Sequence, residues 1–239
     1  MIALEGVRKS YRAGRKRNVV ISDATAVFES GRSYGILGVR ESGKSTLLKL
    51  IAGTELPDAG RVRRNLRVSW PLGVNGAFSR KLTPRENVRF LARIYGEDPK
   101  RVMAFVDDFA ELGGDVDTPL TSFPASMRMR LAFGVSMAIS FDCYLVDGIA
   151  GVGDPRFQKK CFEAFQDRRK YADVIMVSHS LAALRSYCDA GAILAGGKLR
   201  LFDTLDEAAK QFRGALTPGT QAAEADWDDV EDEDWTGAA

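Results

Sequence analysis

Apolar residues fall into two kinds of run along this chain, and their alternation predicts its elements. Ile2–Val7 and Val19–Phe28 read as two short strands, and Ser33-Tyr34-Gly35-Ile36-Leu37 as a third, more uniformly apolar one. A helical run, Thr46-Leu47-Leu48-Lys49-Leu50-Ile51-Ala52, follows. Pro57-Asp58-Ala59-Gly60 marks a turn, and Arg61–Trp70 alternates well enough for one further strand. From Leu82 to about Asp142 the pattern turns helical. Thr83 reads as an N-cap with Pro84 at the first helical position, and Val88, Leu91, Ala92 and Tyr95 keep one face apolar. Ser126 opens another helix, in which Met127, Leu131, Val135 and Ile139 recur every fourth residue. Cys143–Val146 and Val174–Val177 are strands, with a helix from about Arg156 to Arg169 between them. Strands alternating with helices predict an α/β fold, a parallel sheet covered by helices, with the helical stretch 82–142 as a subdomain.

The join between Leu37 and Thr46 carries the chemistry. Residues 38–46 read Gly-Val-Arg-Glu-Ser-Gly-Lys-Ser-Thr, the pattern G-x-x-x-x-G-K-S between a strand and a helix. Gly38 and Gly43 permit positive φ and close backbone approach. Successive amides, including those of Glu41, Ser42 and Thr46, and the helix N-terminus then face an anion. In this motif Lys44 reaches the β/γ-phosphates and Ser45 binds Mg²⁺, so ATP and Mg²⁺ are the expected ligands. About a hundred residues on, the apolar strand 143–146 runs into Asp147. An acid ending a strand is commonplace, but after a full phosphate loop it suits Mg²⁺ held through water. His179, the one histidine of the chain, follows the next strand, where a polar side chain meets a γ-phosphate.

Charge and composition narrow the setting. No run approaches the about 18 apolar residues of a membrane helix, and no secretory signal opens the chain, so a soluble, intracellular protein is expected. Cys143, Cys161 and Cys188 lack C-x-x-C spacing; Cys143 is expected as a buried filler, in a reducing compartment. Residues 224–234 hold eight of the 32 acids and no base, so 34 bases meet 24 acids in the part before them. That end, with Trp227 and Trp235, is expected as a disordered acidic tail over residues 217–239. Arg8, Lys9, Arg12, Arg15, Lys16 and Arg17 form a basic cluster, expected as a solvated hairpin loop, with an anionic lipid surface or substrate as alternatives.

The order of these parts resembles the ATP-binding subunit of ABC transporters over roughly residues 1–215. Tyr11, the phosphate loop, the helical stretch, Asp147, Gly151-Val152-Gly153-Asp154 and Ser178-His179 carry the likeness. Ser69-Trp70-Pro71-Leu72-Gly73, Leu82-Thr83-Pro84-Arg85-Glu86-Asn87-Val88-Arg89-Phe90 and Ala92-Arg93-Ile94-Tyr95-Gly96 are similar, more narrowly, to capsular polysaccharide exporters of Gram-negative bacteria. Tyr144–Asp147, Gly151–Phe157 and Met176–Leu181 continue that similarity. The resemblance implies a P-loop NTPase fold with a small antiparallel β part, and a homodimer or heterodimer enclosing two ATP molecules. It implies an integral-membrane permease partner, a place on the cytoplasmic face of the bacterial inner membrane, and no nucleic-acid partner. Tyr11 would stack on adenine, Ser126 would belong to the signature embracing the partner's ATP, Asp154 would lie at the dimer seam, and His179 would sense the γ-phosphate.

Three departures from the family pattern set further expectations. The residue after Asp147, normally a Glu that polarises the attacking water, is Gly148. Losing a positioned general base costs roughly 10²–10⁴ in rate. The signature position holds Pro124-Ala125-Ser126 rather than Ser-Gly-Gly or Ser-Ser-Gly, and proline brings neither hydroxyl nor N–H. No Gln stands near Leu72–Val74. Tight binding with slow hydrolysis is the expected behaviour. A degenerate, regulatory ATP-binding module is the alternative, and a soluble P-loop kinase the third and weakest.

Overall fold

The computed structural model describes residues 1–14, 16–72, 78–148, 154–178 and 180–215. They fall into two compact units: one of Met1–Pro71, Asp142–Gly148 and the stretch from Ala172 to Ala215, the other of 72–141 and 154–171.

The first unit is built on one sheet. Its strands are β1 (Ile2–Ala13), β2 (Lys16–Phe28), β3 (Tyr34–Leu37), β4 (Ala59–Arg64), β5 (Val68–Leu72), β6 (Cys143–Asp147), β7 (Asp173–Val177), β8 (Ala190–Ala195) and β9 (Lys198–Phe202). Their order is β4-β1-β2-β9-β8-β3-β7-β6-β5. β8, β3, β7 and β6 run parallel, with Ile36 opposite both Val177 and Ala192, and Leu145 opposite Ile175. Every residue of β3 is buried, as is β6 up to Val146, which is why both read as unbroken apolar runs. β1, β2 and β4 are antiparallel, with Ile2 opposite Phe28 and Arg64. Helix α1 (Lys44–Ala52) packs Leu47, Leu48, Leu50 and Ile51 into a core shared with Ile36, Leu145, Ile175 and Leu194. Each such side chain contributes roughly 1.5–3 kcal/mol.

Two expectations change here. The strand read across 61–70 is two strands at opposite edges of the sheet: β4 pairs with β1, whereas β5 flanks β6, so the chain must break between them. The basic cluster is not a loop. Its described members lie on β1 and β2, where Arg12 faces Arg17 and Ala13 faces Lys16. Arg15 is outside the described residues. Lys9 pairs with Glu55 and Asp58, and Arg17 with Asp58, because the turn before β4 brings these acids to the hairpin.

The second unit is helical: α2 (Pro84–Ile94), α3 (Pro99–Ala110), a 3₁₀ turn (Asp115–Asp117), α4 (Ala125–Ala138) and α5 (Pro155–Arg169). Thr83 caps α2 through a reciprocal box. Its hydroxyl accepts from the Glu86 amide, and the Glu86 carboxylate accepts from the Thr83 amide; such a cap contributes about 1 kcal/mol. Phe109 stacks on Phe105 and Phe133 and meets Phe157 edge-on, joining α3, α4 and α5. Helices α6 (Leu181–Tyr187) and α7 (Leu205–Ala215) belong to the first unit. Cys143, Cys161 and Cys188 are free and buried, and burial pushes the Cys143 and Cys161 thiols up to about 12. Among the described residues no helix is long and apolar enough to cross a membrane.

Candidate functional site

At the C-terminal ends of β3, β6 and β7 lies an open cleft of about 480 Å³. Tyr11, Val20, Arg40, Glu41, Ser42, Gly43, Lys44, Ser45, Thr46, Asp147 and Val177 line it. Parallel sheets bind ligands at this edge, because strand ends and helix starts converge there. Lys44 is 6% exposed, and its ammonium donates to the carbonyls of Gly38, at 2.6 Å, and Val39, at 2.8 Å. The loop thus holds its cation inside its own curve.

The two loop glycines are there for different reasons. Gly38 needs no positive φ; it needs space, since a β-carbon on it would come within 2.5 Å of the Leu194 carbonyl oxygen and 2.7 Å of the Ser42 hydroxyl. Gly43 needs both, with φ 99° and a β-carbon position 2.4 Å from Val20 Cγ1. It precedes α1, whose first turn has no side-chain cap and no acid, so its amides remain directed at the cleft. The Ser42 hydroxyl is buried without a hydrogen-bond partner among the described residues. An unfilled buried hydroxyl, an uncapped helix start and a glycine-lined curve together fit a phosphate group.

Asp147 reaches the same cleft, half-buried at the end of β6, and its carboxylate makes no hydrogen bond or ion pair among the described residues. With the Ser45 hydroxyl it supplies hard oxygens suited to Mg²⁺. Tyr11 brings an aromatic face from β1, with the Lys9 ammonium 5.3 Å from its ring centre. Val20, Arg40 and Val177 line the cleft too, though sequence reading had not singled them out as site residues. Arg40 was legible as a loop residue, whereas nothing in the sequence marks Val20.

Residues 21–148 match the family described as ABC transporter. The chain belongs to that family. Among curated ABC relatives, the polysialic acid transport ATP-binding protein KpsT of Escherichia coli is 45% identical over 191 residues, spanning 79% of this chain and 85% of KpsT. The capsule polysaccharide export ATP-binding protein CtrD of Neisseria meningitidis serogroup B is 41% identical over 212 residues, 89% of this chain and 98% of CtrD. Among solved ABC structures, a dimeric post-hydrolysis state of an ATP-binding cassette bound to ADP and Pi matches with TM-score 0.67 at 19% identity. That match covers 86% of this chain and 99% of the other. An ATP-binding subunit of an ABC transporter matches with TM-score 0.69 at 22% identity, over 94% and 99%. At those identities the two structures bear on the fold, the P-loop NTPase fold of ABC cassettes, and an ABC domain of this kind binds nucleotide.

Ser126 is exposed in the first turn of α4, whose cap Pro124 makes no side-chain hydrogen bond. Asp154 is the N-cap of α5. One carboxylate oxygen accepts from the Phe157 amide at 3.0 Å, the other from Arg130 at 2.5 Å, and these partners hold its carboxyl below the usual range. Arg130 also lies 4.5 Å from the centre of the Phe157 ring. Gly148 has φ 53°, and among the described residues nothing lies within 4 Å of a would-be β-carbon. His179, Gly151-Val152-Gly153 and the acidic stretch 224–234 lie outside the described residues.

Proposed function

We propose that this chain is the ATP-binding subunit of an ABC transporter that energises export of a capsular or related surface polysaccharide through a separate permease. The observation that carries this reading is the phosphate-shaped cleft around Lys44 in a chain 45% identical to an ATP-binding protein of polysialic acid transport. On this reading the loop amides and Lys44 bind the phosphates, Tyr11 takes the adenine, and Ser45 and Asp147 hold Mg²⁺. The metal, when bound, neutralises charge on the phosphate oxygens. His179 monitors the terminal phosphate, while Ser126 and Asp154 face a second ATP-binding subunit, in a homodimer or heterodimer. The domain spans 1–216, with a helical subdomain at about 82–142 and an acidic tail beyond.

A membrane partner is supported by Phe90 and Ile94, one turn apart on α2 and 59% and 58% exposed, beside exposed Arg89 and Arg93. Such an apolar stripe with a basic margin suits a protein surface. The subunit then lies peripherally on the cytoplasmic face of the inner membrane. Binding and closure move the permease, and hydrolysis resets the pair.

Hydrolysis is slow in this reading, because Gly148 places no base beside Asp147 and Pro124 offers no donor at the signature. The same two features favour a second reading, a regulatory ATP-binding module on the permease. The deciding experiment is calorimetry of MgATP on the parent chain and on Lys44→Ala, followed by ATP turnover of the co-purified permease complex. Uptake by the parent alone, with turnover stimulated by the permease, supports the exporter. Uptake without turnover or transport favours the regulatory module, and no uptake by folded parent protein sinks both.

A further inference from the structure

Glu41 stands in the phosphate loop at φ 60°, in the left-handed region that side chains larger than glycine's rarely adopt. Among the described residues only Glu111 shares that distinction outside the glycines. The Glu41 side chain is exposed at the cleft lining, and its carboxylate makes no hydrogen bond or ion pair among the described residues. A carboxylate is therefore held, at a conformational cost, at the lining of the cleft that fits a phosphate.

The charges lining the cleft balance. Lys44 and Arg40 are cationic, Glu41 and Asp147 anionic, and neither acid is neutralised by a neighbour among the described residues. Lys44 is engaged by two loop carbonyls. The lining side chains thus add no net positive charge for an anion entering alone, whose attraction is left to the loop amides and the start of α1. A divalent cation offsets two of the charges on a nucleotide's phosphates and gives the two carboxylates an opposite charge to meet, so the complex is opposed less than the free nucleotide.

We propose that Glu41 makes this cleft select the metal complex of a nucleoside triphosphate and turn away the free nucleotide and inorganic phosphate. The proposal rests on the nucleotide reading above. Its amide still belongs to the cradle; its side chain filters what the cradle accepts.

The test is calorimetric, on the full chain, with ATP in Mg²⁺ and ATP in excess EDTA, for the parent, Glu41→Gln and Glu41→Gly. Gln keeps the cost of the left-handed backbone and removes the charge; Gly removes the charge and relieves that cost as well. The parent should lose more affinity on metal removal than either variant, the ratio shrinking about 3- to 10-fold in Gln and Gly alike. The difference should narrow as salt rises. Equal metal dependence in the parent and Glu41→Gln overturns the proposal, and so does a change seen with Gly alone, which would trace to the backbone. A parent that takes up no MgATP instead overturns the nucleotide reading itself.

Discussion

Val20 of β2 presses on Gly43, its Cγ1 standing 2.4 Å from where a Gly43 β-carbon would lie. The hairpin that carries Tyr11 therefore roofs the residue at which the phosphate loop becomes a helix. Gly43→Ala should lower stability by about 1–3 kcal/mol and abolish nucleotide binding. Adding Val20→Ala should return only part of the stability, because φ 99° still disfavours a side chain. Gly38→Ala should be worse than either, since it meets the Leu194 carbonyl rather than a side chain that can turn away. Urea melts of the three variants, with MgATP calorimetry on those that fold, check the order.

Among the described residues nothing blocks a side chain at Gly148, but its backbone is unfavourable for one, with φ 53°. Its amide donates to the Val177 carbonyl at 3.0 Å. Gly148→Glu should cost about 1–2 kcal/mol of stability yet raise single-turnover hydrolysis at least tens-fold, within the roughly 10²–10⁴ range of a general base. Gly148→Gln carries the same strain without the base and should not gain. A Glu variant no faster than Gln would remove the missing base as the explanation of slow turnover.

Asp154 gives the helical unit an acid limit. The Phe157 amide first, then Arg130, lower its folded pKa. A depressed carboxyl contributes stability above its unfolded pKa, about 3.9, and loses it as pH falls through the folded value. Asp154→Asn still caps α5 but carries no charge. Below about pH 4 the parent should therefore lose stability more steeply than the Asn variant in parallel denaturant titrations. Matching slopes would show that the ion pair with Arg130 adds nothing.

Arg64 fastens the far end of α1. It projects from β4, and its guanidinium donates to the Leu50 and Ile51 carbonyls at 2.5 Å each. Cations at a helix C-terminus are favourable. Arg64→Met should cost about 1–2 kcal/mol, read from the shift of the urea midpoint at unchanged slope. Arg64→Lys, which cannot make both bonds in the same plane, should recover less than half of that.

The fold was legible where contrast was high. β3, β6 and β7 stood out because burial on both faces leaves charged residues only at their ends, Asp147 and Asp173, and α2 because Thr83 and Glu86 bracket its start. β8 was not legible, for its Ala-Gly-Ala start has too little side chain to show a period. Nor was the extent of burial along α4, since Leu131–Ala138 are buried all round and an every-fourth-residue pattern marks one face. In the cleft, the loop and Asp147 were readable as a motif. Val20 was not, because its role comes from hairpin register, which local sequence does not carry. The described basic residues misled for a related reason: the acids that pair with Lys9 and Arg17 are about 40 positions away in the chain.

Through Arg64, β4 grips one end of the short rod whose other end begins the phosphate cradle, and β4 is itself zipped to the strand bearing Tyr11. On the nucleotide reading proposed above, ring and loop thus share one support, and loosening it at Arg64 should be felt by base and phosphate alike.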